Sequence, residues 1–306
     1  MVKVNKMRKN AAAIRESLPD RIFLFILYVA LSIIGLVFLY PMYYVVIASI
    51  SSPFAIYRGE VILWPVSVTF EGYKEIFADT TIWRGYANSI FYTVFGTLTS
   101  LAATLPAGYA LSRKDLSGRN VIMFFITFTM FFSGGLVPTY LMVRQLGIVN
   151  TIWAVLLVNA VSAWNLILAR TFFMNTIPVE LWEASVLDGC NNTRFFLKVA
   201  LPLSSAIVAL LALYYGVGQW NSYFKELIYL DNPNMYPLQM VLRSILVKNQ
   251  IPPTMLSDFE TLALKQQMTD LLKYGLMLVA SLPVFIAYPF VQRYFIKGVM
   301  VGSLKG

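Results

Sequence analysis

The chain has 306 residues, of which 58% are hydrophobic and 13% charged, with a net charge of +9. A soluble domain carries about 25% charged residues, so a water-facing globule of this length is excluded and a lipid-facing chain is expected. A single cysteine, Cys190, and the absence of histidine exclude an internal disulfide, the common zinc sites and histidine-based acid–base or nucleophilic catalysis.

The N-terminal segment, residues 1–21, is basic through Lys3, Lys6, Arg8, Lys9, Arg15 and Arg21. The apolar run behind it, Ile22–Ile50, far exceeds the about 7–15 residues of a signal-peptide core and predicts an uncleaved first transmembrane helix. Five further uncharged stretches reach the about 20 residues that a span needs: Tyr86–Ser112, Asn120–Val143, Val149–Ala169, Val199–Phe224 and Tyr274–Gln292. Lipid does not tolerate irregular backbone, so each stretch is expected to be helical. The predicted fold is thus an all-α integral membrane protein with six transmembrane helices. Pro41, Pro106, Pro138, Pro202, Pro283 and Pro289 mark expected kinks or helix ends. The expected organisation is the cytoplasmic segment 1–21, a six-helix domain over 22–298 and a cytoplasmic tail over 299–306.

Orientation follows from lysine and arginine. With the N-terminus inside, the inner segments hold fifteen basic and six acidic residues, and the outer segments hold nine of each. The whole net charge then lies on one side, which places both termini in the cytoplasm. The basic balance is therefore a topology signal, and no nucleic-acid partner is expected.

Two outer loops, Ser51–Gly85 and Lys225–Lys273, are long enough to form extracytoplasmic caps. The inner segment between the fourth and fifth spans, Arg170–Lys198, is too long for a turn. In it, Pro178 followed by Glu180 and the run Leu181-Trp182-Glu183-Ala184 predicts a helix start. Gly189 predicts a break, and a second helix then leads through Leu201-Pro202 into the membrane. Trp182, Val186 and Leu187 are expected to form the apolar face of the first helix, with Glu183 and Asp188 polar. Such an element suits docking into a groove of a soluble partner or anchoring the loop at the membrane surface.

The pattern Glu183-Ala184-Ser185, three residues, Gly189, nine residues, Val199-Ala200-Leu201-Pro202 resembles the Glu-Ala-Ala motif of ABC-importer permeases. Ser185 and Val199 replace the family's second Ala and its Ile. The six-span layout with a long first outer loop is similar to the second permease of maltose-type carbohydrate importers. The Gln219-Trp220-Asn221 segment and the Gly-rich ending Lys297–Gly306 resemble that class too. The resemblance implies a coupling helix carrying Glu183, Ala184, Ser185, Asp188 and Gly189, with Leu201 and Pro202 behind it. It implies a transport subunit that is not an enzyme and lies multi-pass in a bacterial inner or plasma membrane. Its implied partners are a second permease, two ATPase subunits and an external solute-binding protein. ATP and magnesium then belong to the ATPase, and no cofactor or metal to this chain, which has no Gly-rich loop ending in Lys-Ser or Lys-Thr. The tail is implied to reach the ATPase subunits; a frayed terminus is the other reading.

No Asp, Glu, Lys or Arg falls inside the six stretches, which counts against an ion-coupled transporter. Their polar content is Asn, Gln, Ser, Trp and Tyr, which hydrogen-bond hydroxyls and stack on sugar rings. Candidate contacts for a sugar or oligosaccharide are Asn159, Trp164 and Asn165 on the fourth span, and Gln219, Trp220, Asn221 and Tyr223 at the end of the fifth. The same residue types also form interfacial aromatic belts and helix–helix hydrogen bonds. Ser133-Gly134-Gly135 and Pro138 mark a flexible or closely packed point in the third span. An importer of the same architecture for a peptide or amino acid, and more distantly a channel, are the alternatives.

Overall fold

The computed structural model describes residues 18–246, 269, 272–286 and 288–289, and among these all regular structure is helical. The tail 299–306, most of the basic N-terminal segment and the core of the last outer loop lie outside the described residues. The chain divides into two compact units, Met1–Val68 and Thr69–Gly306.

The first unit is built on α1, Leu18–Ser49, a helix of 32 residues that contains Pro41 without interruption. Its apolar side chains are largely exposed, Phe25 at 69% and Phe38 at 72%. That fits a helix whose solvent is hydrocarbon. The end of α1 packs Ile47 against Ala55 of the short α2, Pro53–Tyr57, and against Val61. Tyr40 donates its hydroxyl to the Ile62 carbonyl at 3.1 Å, and Tyr43 donates to that of Leu63.

The second unit opens with α3, Glu71–Ala78, and α4, Thr80–Ser112. Asp79 caps α4 by accepting from the Thr81 amide at 2.7 Å, as a carboxylate at an N-cap does. The chain continues as α5 (Arg119–Phe131), α6 (Leu136–Gln145), α7 (Ile152–Leu157), α8 (Ala163–Thr176) and α9 (Val179–Leu187). Then follow α10 (Asn192–Leu203), α11 (Ser205–Trp220), α12 (Phe224–Tyr229), α13 (Leu238–Leu246) and α14 (Leu272–Ile286).

Helix α4 is the axis of this unit, and α11 and α8 pack along it most extensively. Small residues make this possible. A Cβ on Gly96 would meet the Gln219 side chain of α11 at 2.8 Å, and one on Gly108 would meet Ala169 Cβ of α8 at 2.7 Å. Close approach through small residues is how apolar helices gain contact where lipid supplies no hydrophobic drive. The buried Thr104 hydroxyl of α4 and the Tyr215 hydroxyl of α11 are 2.8 Å apart, and Tyr215 also accepts from the Ser162 amide ahead of α8.

By length and apolarity α1 and α4 can each cross a membrane, and the count reaches four if each of two bent pairs is one span. The third and fifth stretches bend where Ser133-Gly134-Gly135, Pro138 and Pro202 marked a flexible point or kink, while the fourth, expected as one helix, is broken. The third is α5 and α6, bent by 118° across Phe132–Gly135, where Gly135 has a positive φ of 85°. The fourth is α7 and α8, parted at Val158–Ser162, where Asn159 has φ +59°. The fifth bends by 83° at Ser204, between α10 and α11. A π-turn over Phe196–Ala200 leads into Pro202, which has no N–H to offer the preceding turn. A π-turn and a proline are recognised causes of sharp kinks. Of the sixth stretch, α14 is described up to Ile286.

Candidate functional site

The 183–202 pattern folds as predicted from its local signals. Pro178 is the N-cap of α9, and Glu180 lies in its first turn. The helix ends in a Schellman motif: the Gly189 amide donates to the Val186 carbonyl and the Cys190 amide to that of Ser185, both at 2.9 Å. Gly189 sits at φ +74°, the left-handed conformation that this cap requires and glycine adopts without strain. The Ser185 hydroxyl donates to the Trp182 carbonyl at 2.7 Å, so it stays local.

No residue of α9 is buried. Leu187 is 89% exposed and Val186 47%, while Glu183, Ala184, Asp188 and Gly189 are also exposed. Trp182 departs from the expected apolar face. It turns inward, its ring edge-on to Phe195 at 5.3 Å, with the Arg113 guanidinium 4.2 Å from its centroid. Arg113 follows the last residue of α4, so this cation–π contact fastens α9 to the end of α4. Arg113 also holds Asp115 through a 3.1 Å hydrogen bond, which keeps that carboxyl below its ordinary value. Behind the loop, Arg170 of α8 donates to the Leu111 carbonyl at 3.1 Å. A cavity of ≈ 520 Å³ opens between the end of α4 and α10, lined by Tyr109, Arg113, Asn192 and Phe196 among others. Leu201 is half-buried against the core of α4, α8 and α11, and Pro202 is exposed.

The candidate sugar contacts separate. Trp220 is buried, with Nε1 donating to the Ala280 carbonyl at 3.2 Å and its ring edge-on to Tyr86. It is a core residue joining α11 to α4 and α14. Asn165 is buried on α8. Asn159 lies exposed in the α7–α8 break, and Trp164 is exposed one turn on. Asn221 is exposed and donates to the Val217 carbonyl at 3.0 Å, and Tyr223 is exposed beside Phe224. Gln219 is half-buried and accepts from Lys225 Nζ at 3.2 Å.

Sequence reasoning missed Lys225 and Glu226, which it counted as loop charges. In α12 the Lys225 ammonium turns into the protein and donates to the Val155 carbonyl of α7 at 2.6 Å. Desolvation pushes its pKa below the ordinary lysine value, and the nearby Glu226 carboxylate opposes the shift. Glu226 is 1% exposed and accepts from the Ser222 hydroxyl at 2.8 Å. The available signal was two adjacent charges inside the apolar run Tyr223–Leu230. Among the described residues no cluster of His, Cys, Asp and Glu is arranged to hold a metal.

No protein-family profile matches the chain. It is 36% identical over 289 residues to the polygalacturonan/rhamnogalacturonan transport system permease protein YtcP of Bacillus subtilis, covering 94% of this chain and all of that one. It is 35% identical over 273 residues to protein LplC of the same organism, covering 89% and 91%. A solved bacterial ABC transporter involved in the import of the acidic polysaccharide alginate contains a chain that superposes with a TM-score of 0.84. That chain shares 36% sequence identity, and the match covers 91% of this chain and 98% of it. With near full-length identity above one third and the same fold, this chain belongs to the permease subunits of sugar ABC importers.

Proposed function

We propose that this subunit carries a sugar oligomer from an external binding protein into a bacterial cytoplasm, as half of a permease pair driven by two ATPase subunits. ATP and magnesium act on those subunits. The six stretches cross the cell membrane, with the fourth-to-fifth segment and both termini inside. The observation that carries the reading is the 36% identity to a sugar-importer permease over its whole length. The cargoes in the relatives' names, polygalacturonan/rhamnogalacturonan and alginate, support an oligomer cut from a polysaccharide.

Coupling runs through α9. Its exposed Val186 and Leu187 form an apolar face left uncovered by the described residues, and Glu183 and Asp188 flank it. Seated in an ATPase cleft, that face is covered. Trp182 on Arg113 and Arg170 on Leu111 then tie any displacement of α9 to α4 and α8. The test is co-expression with the neighbouring genes and purification through a tag on this chain. Recovery of a second permease and an ATPase, with the ATPase lost on Glu183→Ala or Gly189→Val, is the expected result. A chain that purifies alone, unaffected by either change, refutes the reading.

A further inference from the structure

The Lys225 ammonium sits in a cradle of neutral oxygens. It donates to the Val155 carbonyl and to Gln219 Oε1. Among the described residues the ion pairs are Arg58–Glu60 and Arg113–Asp115, so no carboxylate there lies within ion-pair distance of Lys225. Glu226, the next residue, spends a carboxylate oxygen on Ser222 instead. An ammonium has three N–H donors, so one remains after Val155 and Gln219. A desolvated cation without a paired anion is costly, and the side chain is half-buried rather than sealed. The site is therefore charged and partly open, with Glu226 near enough to act on the ammonium but no ion-paired carboxylate among the described residues, and one N–H donor is left over for a ligand.

Its surroundings match a sugar acid. Val155 lies in the last turn of α7, just ahead of the non-helical Val158–Ser162 break. Non-helical backbone at membrane depth is tolerated where it is buried or lines a wet cavity. Gln219, which accepts from Lys225, still has an amide NH₂ that can serve a hydroxyl. Close packing of Gln219 over Gly96 fixes where that amide stands. A carboxylate delivered beside a hydroxyl would complete both groups through charge-assisted and neutral hydrogen bonds.

We propose that Lys225 binds a carboxylate of the transported sugar, making this permease selective for uronate-bearing oligosaccharides. The inference rests on the import reading above and narrows its substrate class. Both relatives whose cargo is named for a polysaccharide are consistent with it, since polygalacturonan and alginate carry carboxylates.

The test uses the whole importer, with its binding protein, in proteoliposomes. Uptake of a galacturonate trimer is compared with that of its methyl ester, for the parent, Lys225→Gln and Lys225→Arg. Losing one charge-assisted contact lowers the acid-to-ester uptake ratio about 10- to 100-fold in Lys225→Gln, and Lys225→Arg retains most of it. Equal losses for acid and ester overturn the proposal, because lost packing does that. Parental acid uptake in Lys225→Gln also overturns it. If Lys225→Gln does not assemble, the parent decides: ester carried as fast as acid is refutation, and acid preference that survives in Lys225→Arg is support. An assembled importer whose ATP hydrolysis answers to no oligosaccharide sinks the import reading itself. One that answers to neutral oligomers only sinks the Lys225 proposal alone.

Discussion

Gly108→Ala tests whether the contact of α4 with α8 is as tight as it looks. The added Cβ would stand 2.7 Å from Ala169 Cβ and 3.2 Å from the Arg170 amide nitrogen. Non-bonded carbons rest at about 3.5–4.0 Å, so the two helices must part by about 1 Å. Overpacking of this kind costs about 1–3 kcal/mol. Replacing Gly by Ala within a helix returns up to about 1 kcal/mol, so the single variant understates the clash. A double-mutant cycle isolates it. Ala169→Gly alone loses a fully buried methyl and some helix propensity, yet in the Gly108→Ala background it removes the obstructing atom. The predicted coupling energy is therefore about 1–3 kcal/mol in favour of the pair. Thermal unfolding of the purified importer, followed for all four combinations, measures it. A coupling energy below about 0.5 kcal/mol, the ordinary error of additivity, refutes the close approach of α4 and α8.

Three further outcomes follow from the loop. Trp182→Ala removes both the Arg113 and the Phe195 contacts, so transport per ATP hydrolysed is expected to fall severalfold, while Trp182→Phe keeps most of it; an unchanged ratio in Trp182→Ala rules out the α9–α4 link. Gly189→Ala forces a Cβ into φ +74° at a cost of about 1–2 kcal/mol, which should raise amide exchange at Gly189 and Cys190, and unchanged protection there contradicts the cap. Asp115, held down first by its hydrogen bond from Arg113, contributes stability above its unfolded value and loses it only as pH falls through the lower folded value. Arg113→Ala should therefore return the Asp115 titration to the ordinary carboxylate range, and a midpoint that stays low assigns the shift to another cause.

Local signals of turn and cap were legible in the sequence to within a residue or two. Pro178, Glu180 and Gly189 bound α9 because each acts through its own backbone chemistry. The bends of the third and fifth spans were marked by Gly135, Pro138 and Pro202, but the break in the fourth was not legible. Apolar composition reports affinity for lipid and says nothing about whether a helix runs unbroken, and Val158–Ser162 contains neither Gly nor Pro to announce its break. The orientation of single side chains was equally hidden. Trp220 reads as a sugar platform until its indole N–H is found on the Ala280 carbonyl, and Trp182 reads as part of a docking face until it is found beneath Arg113. Lys225 was lost in a charge tally that served topology, since a sum over a loop erases where any one charge points.

The corner between α5 and α6 bears on how such a subunit is kept from existing alone. Residues Phe132–Gly135 belong to no helix, and the stretch from Phe131 to Pro138 is exposed throughout. If that corner lies at hydrocarbon depth, its free amides and carbonyls each cost several kcal/mol against lipid tails. A neighbouring subunit or a water-filled passage removes that penalty. In the permease pair proposed above, covering this corner would relieve an orphan copy of unsatisfied backbone in the bilayer.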